Sequence, residues 1–224
     1  MEKRQNKLTS IAVGLAIVIG VAINEVLAKQ TNFPNYLNWI ITVVVSASLH
    51  EFLYYSFVFA INHSDLLLKL FWGKLYIKGF WTYTYINNGE KKYGAWCIEQ
   101  TLDSVTIKGF GLTPDGVRRS DVQSMTTLLP RGNDWEVINM RRDISNTGEW
   151  SDTFYYSKTT LHLQQRNTFL NLCAYPLAMD GNTIIYGGQL SGQIHNQLVF
   201  KKHKEAKNEQ DIEQILLNIM HNRG

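Results

Sequence analysis

The chain has 224 residues and a net charge of +3. That excess is too small to mark a general nucleic-acid binder, so any anion site must be local. Its two cysteines, Cys97 and Cys173, lie far apart and fit no metal or redox spacing; they read as reduced, buried thiols.

Residues 8–28, LTSIAVGLAIVIGVAINEVLA, are almost wholly apolar. As a helix they span about 31 Å, the thickness of a bilayer core. The polar turn QTNFPNYLN follows, with Pro34 in it. Residues 36–61 then form a second span with Tyr36 and Trp39 at one end and Phe57 and Phe59 at the other, as membrane interfaces favour. The expectation is a transmembrane hairpin over residues 1–62, with helices at about 8–28 and 36–61. A cleaved secretory signal is the rival, because Lys3, Arg4 and Lys7 precede the apolar run and Val26-Leu27-Ala28 offers a cut. Asn24 and Glu25 spoil that cut. The basic N-terminus, and Lys69, Lys74 and Lys78 after the second span, place the N-terminus and everything beyond residue 62 in the cytoplasm.

His50 and Glu51 interrupt the second span. A zinc-protease HExxH would need a second histidine, but Tyr54 stands there. A charge at mid-bilayer costs on the order of 2.5–3.5 kcal/mol, so the pair should face another helix or a hydrated path. In the first helix Ala12, Ala16, Gly20, Asn24 and Ala28 recur every fourth residue. Such a stripe lets backbones approach closely, either within the hairpin or between copies.

HSDLLLKLFW (63–72) suggests a short helix capped by Ser64. From Leu75 the period becomes two: Leu75, Ile77, Trp81, Tyr83 and Tyr85 share one face, then Trp96, Ile98, Gln100 and Leu102, then Val105, Ile107, Gly109 and Gly111. Further strand-like runs cover 117–129, 135–141, 153–164, 168–175, 183–190 and 195–202. Residues 63–224 are therefore expected to be mainly β, an antiparallel barrel of about eight strands rather than a sandwich. Such a barrel has room inside for side chains or one small ligand. After the basic linker KKHKEAK, Ile212, Ile215, Leu216, Ile219 and Met220 mark an amphipathic C-terminal helix that caps the barrel or meets a partner.

No catalytic constellation emerges. GFGLTPDG lies between strands, not before a helix, so it is no dinucleotide fingerprint, and His162 and His195 have no partner at a recognisable spacing. Six of the eight arginines fall in the strand-rich half: Arg118, Arg119, Arg131, Arg141, Arg142 and Arg166. Arginine suits bidentate phosphate recognition. Trp81, Tyr83, Trp96, Trp135, Tyr155 and Tyr156 run among them, able to stack on bases or to fill the core.

Two membrane helices followed by a strand-rich half resemble the two-transmembrane β-barrel effectors of bacterial cyclic-oligonucleotide antiphage signalling (CBASS). The resemblance covers the whole chain in architecture and is carried locally by KGFWTYTYI (78–86), YGAWCIEQT (93–101), VTIKGFG (105–111) and SDVQS (120–124). It implies a non-enzymatic receptor in the bacterial inner membrane. The barrel would bind a cyclic dinucleotide from a partner nucleotidyltransferase, the chain would self-associate, and the helices would disrupt the bilayer. No cofactor or metal is implied, and DNA and RNA are not expected as partners. The candidate ligand residues, chosen on chemistry, are Trp81, Tyr83, Gln100, Arg118, Ser124 and Tyr155. His50 and Glu51 are the candidate polar contacts in the membrane. A lipocalin-like carrier of an apolar ligand and a membrane-tethered scaffold remain as rivals.

Overall fold

The computed structural model describes residues 2–30, 34–87, 89–125, 128–132, 134–144, 149–169, 173–186, 192 and 194–222. It divides into two compact units, residues 1–71 and 72–224. The boundary falls later than the expected 62/63, because most of the short helix after Ser64 goes with the hairpin.

In the first unit, α1 (Glu2–Gln30) and α2 (Asn35–His63) pack side by side. Both are long and apolar enough to cross a membrane, over Leu8–Lys29 and Asn35–His63. The small-residue stripe is spent inside this hairpin. Ala12, Ala16 and Gly20 are buried, and any side chain on Gly20 would strike Ser46. The Thr42 hydroxyl bonds the Asn24 Oδ1 at 3.1 Å and the Asn38 carbonyl at 2.8 Å. Glu51 lies nine positions after Thr42, about two and a half turns, so it points away from α1 and is exposed. His50 is half-buried, and its Nε2 has no hydrogen-bond partner among the described residues. α3 (Asp65–Trp72) begins at Ser64, whose Oγ accepts from the Leu67 N–H at 3.4 Å.

The second unit is a closed antiparallel barrel. Its strands are β1 (Gly79–Asn87), β2 (Glu90–Gln100), β3 (Val105–Leu112), β4 (Arg118–Ser124), β5 (Leu129–Arg131), β6 (Asp134–Ile144), β7 (Trp150–Phe169), β8 (Cys173–Tyr186) and β9 (Ile194–His203). Each strand pairs with its neighbour in sequence, except that short β5 pairs only with β6 and β4 bonds β6 directly. The β1–β9 pairing shuts an eight-stranded up-and-down ring. The expected faces hold. Trp81, Tyr83, Trp96, Ile98, Val105, Ile107, Val122, Trp135, Val137, Leu161, Met179 and Phe200 are buried, and in each strand they share one parity. Full closure leaves the ring no unpaired sheet edge.

Three expected runs change. The run 183–190 is no separate strand: residues 183–186 are the end of β8, and 187–190 lie outside the described residues. The run 168–175 is not a separate strand: it covers the end of β7, residues outside the described set, and the start of β8, which pair with each other down to Phe169–Cys173. The run 117–129 ends as β4 at Ser124. Beyond β9, α4 (Glu209–His221) is N-capped by Asn208, whose Oδ1 accepts from the Asp211 N–H at 2.8 Å. It does not plug the barrel. Ile212 and Leu216 bury against Ala95, Phe110 and Leu112 on the outer wall.

Candidate functional site

One end of the ring is plugged by the chain that enters it. The Trp72 ring packs against Trp135, with centroids 5.5 Å apart, and its Nε1–H donates to the Thr101 carbonyl at 2.8 Å. Leu75, Tyr76 and Ile77 are buried beside it. Gln100 belongs to this plug. Its Oε1 accepts from the backbone N–H groups of Ile77 (2.7 Å) and Lys78 (3.0 Å), and its Nε2 donates to the Leu75 carbonyl (3.2 Å). The amide that the alternation turned inward is thus spent on a chain segment that has no strand to pair with. Trp81 is fully buried and donates to the Ile77 carbonyl at 2.8 Å.

Two more of the six candidates have structural duties. Ser124 Oγ accepts from the Ile107 N–H at 2.9 Å. Arg118 lies on the outer wall, clamped to Asp121 and to Glu209 of α4, both at 2.7 Å, with its guanidinium over Phe110. It anchors the helix. Burial works against the Arg118 charge, but these two carboxylates outweigh it and hold the pKa above its ordinary value.

Tyr83 and Tyr155 do come together, at the open end. They line an inner cavity of about 60 Å³ with Tyr85, Trp96, Asn139 and Arg141. Tyr83, Tyr85 and Arg141 also line an outer cavity of about 390 Å³, which adds Glu90, Lys92, Arg119, Ser120 and Asp143. The two spaces form one funnel, polar at the mouth and aromatic within. Its larger part is within the roughly 300–1,000 Å³ of small-molecule sites.

The aromatic wall is set by packing. The Tyr83 ring stacks near Tyr85 (6.2 Å between centroids) and leans on Trp96 and Phe200, both at 5.5 Å. It rests on Gly94, where any Cβ would overlap the phenol; glycine there leaves the ring its place. Burial, helped by Tyr85 and Asp143 and opposed by Arg141, pushes the Tyr83 pKa well above the usual phenol range. Tyr83 is therefore a neutral donor or stacking face.

Arg141 is the residue that sequence reasoning named among the arginines but did not choose. Its Nε donates to Asp143 Oδ1 at 2.6 Å, and it faces Tyr155 across the β6–β7 ladder. Burial disfavours its charge, yet Tyr85, Asp143 and Tyr83 outweigh that and hold its proton more tightly than water would. With Lys92 and Arg119 it gives the mouth three cations against the carboxylates of Glu90 and Asp143. Parity was the available signal: Trp135 and Val137 point inward, so Arg141 does too.

The other arginines lie elsewhere. Arg131 pairs with Glu136 at 2.7 Å, and Arg142 lies over Trp150 and Phe154 outside the barrel. The side chains of Arg166, His195 and Cys173 lie outside the described residues. Among the described residues no group of acidic, histidine or cysteine side chains could hold a metal. Burial raises the pKa of the half-buried Cys97 thiol.

No protein-family model matches the chain, and no curated protein matches it.

Proposed function

We propose that this chain is an antiphage-defence effector of the bacterial inner membrane. Its barrel binds a cyclic dinucleotide made by a partner nucleotidyltransferase, and its helices self-associate and disrupt the bilayer. Binding, not catalysis, is the activity proposed. The observation that carries this reading is the funnel: tyrosine faces for stacking, with the half-buried Arg141 set among them. Arginine in such a place recognises phosphate bidentately, and a nucleotide is the small ligand that offers rings and phosphate together.

An apolar-ligand carrier is the second reading, favoured by the up-and-down ring and its apolar depth. Magnitude weighs against it. The space below the tyrosines is about 60 Å³, room for a few waters and far too little for an acyl chain.

The test is the thermal stability of the full chain in detergent against a panel of cyclic di- and trinucleotides. At a hundred times its dissociation constant a ligand adds roughly 2.7 kcal/mol, or about 5–10 °C for a protein of this size. A shift with one cyclic nucleotide is expected. A shift with fatty acids and with no nucleotide would favour the carrier.

Self-association is where Glu51 enters the reading. A carboxyl near the middle of α2, facing away from α1, is costly in lipid unless another helix meets it. Glu51→Leu and His50→Leu are expected to keep nucleotide affinity and to weaken killing of the host cell. Undiminished killing by both single variants and by the double variant would remove this role.

A further inference from the structure

Two buried polar atoms on residues that line the inner cavity have nothing to bond among the described residues: Trp96 Nε1–H, a donor, which lies against the wall at Gly109, and Asn139 Oδ1, an acceptor. Trp96 is 3% exposed and Asn139 1%, and both line the inner cavity. They come from different walls, Trp96 from β2 and Asn139 from β6. The asparagine is oriented from behind, where its Nδ2 donates to Thr159 Oγ1 at 3.5 Å and that hydroxyl bonds Thr183 Oγ1 at 2.7 Å. A third such atom, Trp135 Nε1, belongs to a ring at the plugged end and lines neither funnel cavity.

Native proteins seldom leave buried polar groups unpaired, because each forfeits its hydration for nothing. Two of opposite sense, on residues that line one cavity, form a complementary pair for a group that a small side-chain shift would let them reach. Resting on the nucleotide-receptor reading above, we propose that Trp96 and Asn139 read the edge of one base of the ligand. The base lies in the larger outer space against Tyr83 and Tyr85, and only its edge reaches the inner cavity. An acceptor on its edge takes the indole N–H, and an N–H on the same edge is given to the Asn139 oxygen. Hydrocarbon satisfies neither atom. The pair thus sets specificity for a heterocycle with a donor and an acceptor side by side, while Arg141 above it takes a phosphate.

The test separates this role from a packing role, because unpaired atoms leave an opposite signature. In the full chain in detergent, Asn139→Leu and Trp96→Phe remove the orphan acceptor and the orphan donor while nearly keeping shape. Unliganded melting temperatures are expected to equal or exceed the parent's. Affinity for whichever of cyclic di-AMP, cyclic di-GMP and cyclic UMP–AMP binds the parent most tightly is expected to fall about 10–100-fold. Parent-like affinity in both variants would mean that the atoms bond only water, and would overturn the assignment while leaving the receptor reading intact. A drop in unliganded melting temperature that accounts for the whole loss of binding would also overturn it, as a structural role. If the parent binds neither these three probes nor any other member of the cyclic di- and trinucleotide panel, the receptor reading fails and the base-reading role fails with it.

Discussion

Arg141→Ala is expected to weaken cyclic-nucleotide binding at least 30-fold, the effect of losing about 2 kcal/mol at a half-buried anchor. Asp143 takes the Nε proton at 2.6 Å and so fixes the guanidinium plane, leaving the Nη donors of the fork for a phosphate. Arg141→Lys keeps the charge but loses the fork, and should sit between, roughly 5–10-fold weaker than the parent. Stability must be separated from binding here. The two side chains are 29% and 23% exposed, so removing the arginine strands a half-buried carboxylate at a cost of about 1–3 kcal/mol. Arg141→Ala combined with Asp143→Asn should recover most of that loss without recovering affinity. Titration calorimetry on both variants, with unliganded melts alongside, checks it. Recovered binding in the double variant would make Arg141 a structural residue only.

Gln100→Leu has the opposite signature. The change leaves the N–H groups of Ile77 and Lys78 and the carbonyl of Leu75 without the partner they have at 2.7, 3.0 and 3.2 Å. At about 1–3 kcal/mol for each orphaned buried group, with partial relaxation, the loss is roughly 3–5 kcal/mol. The melting temperature should then fall by about 10 °C. Ligand affinity measured well below that melt should be unchanged, because Gln100 lines neither cavity of the funnel. A stable variant that had lost binding would return Gln100 to the ligand site.

The contrast between these two residues shows what the sequence could convey. Alternation put Trp81, Tyr83 and Gln100 on inward faces correctly, since a strand with one buried face leaves that face no other composition. It could not say which end of the ring each would reach, because depth depends on register across the whole sheet. That is why Gln100 and Tyr83, both inward, have unrelated duties.

Arg118 lies on the outer wall for a local reason. By simple parity it should point inward with Ser120, Val122 and Ser124. A bulge intervenes: Gly111 pairs with Ser120, but the next residue, Leu112, pairs with Arg118. Two positions of β4 oppose one step of β3, which reverses the faces. Arg118 turns out toward α4, and Arg119 lines the mouth instead. A bulge of this kind has no reliable signature in one sequence. The long β7–β8 hairpin reads in the sequence as three runs instead of two strands, and the first break falls where its pairing is interrupted around Gln165. The hairpin helices were the most legible part, since apolar length alone defines them. Their polar residues named the contact surface without saying that Asn24 would be satisfied internally and Glu51 left facing outward.

The pairing of β1 with β9 also fixes an order of events during synthesis. All other ring contacts join strands close in sequence and are available as each hairpin leaves the ribosome, but the last seam needs Ile194–His203, which are made after every other strand. Until then both apolar helices have already been made and the second unit has no closed interior. In the proposed function the membrane-active segment is therefore always older than its own control element. On that proposal a nascent or truncated chain is expected to be harmless by default, with ligand supplying activation, because for part of every molecule's life there is no barrel to supply restraint.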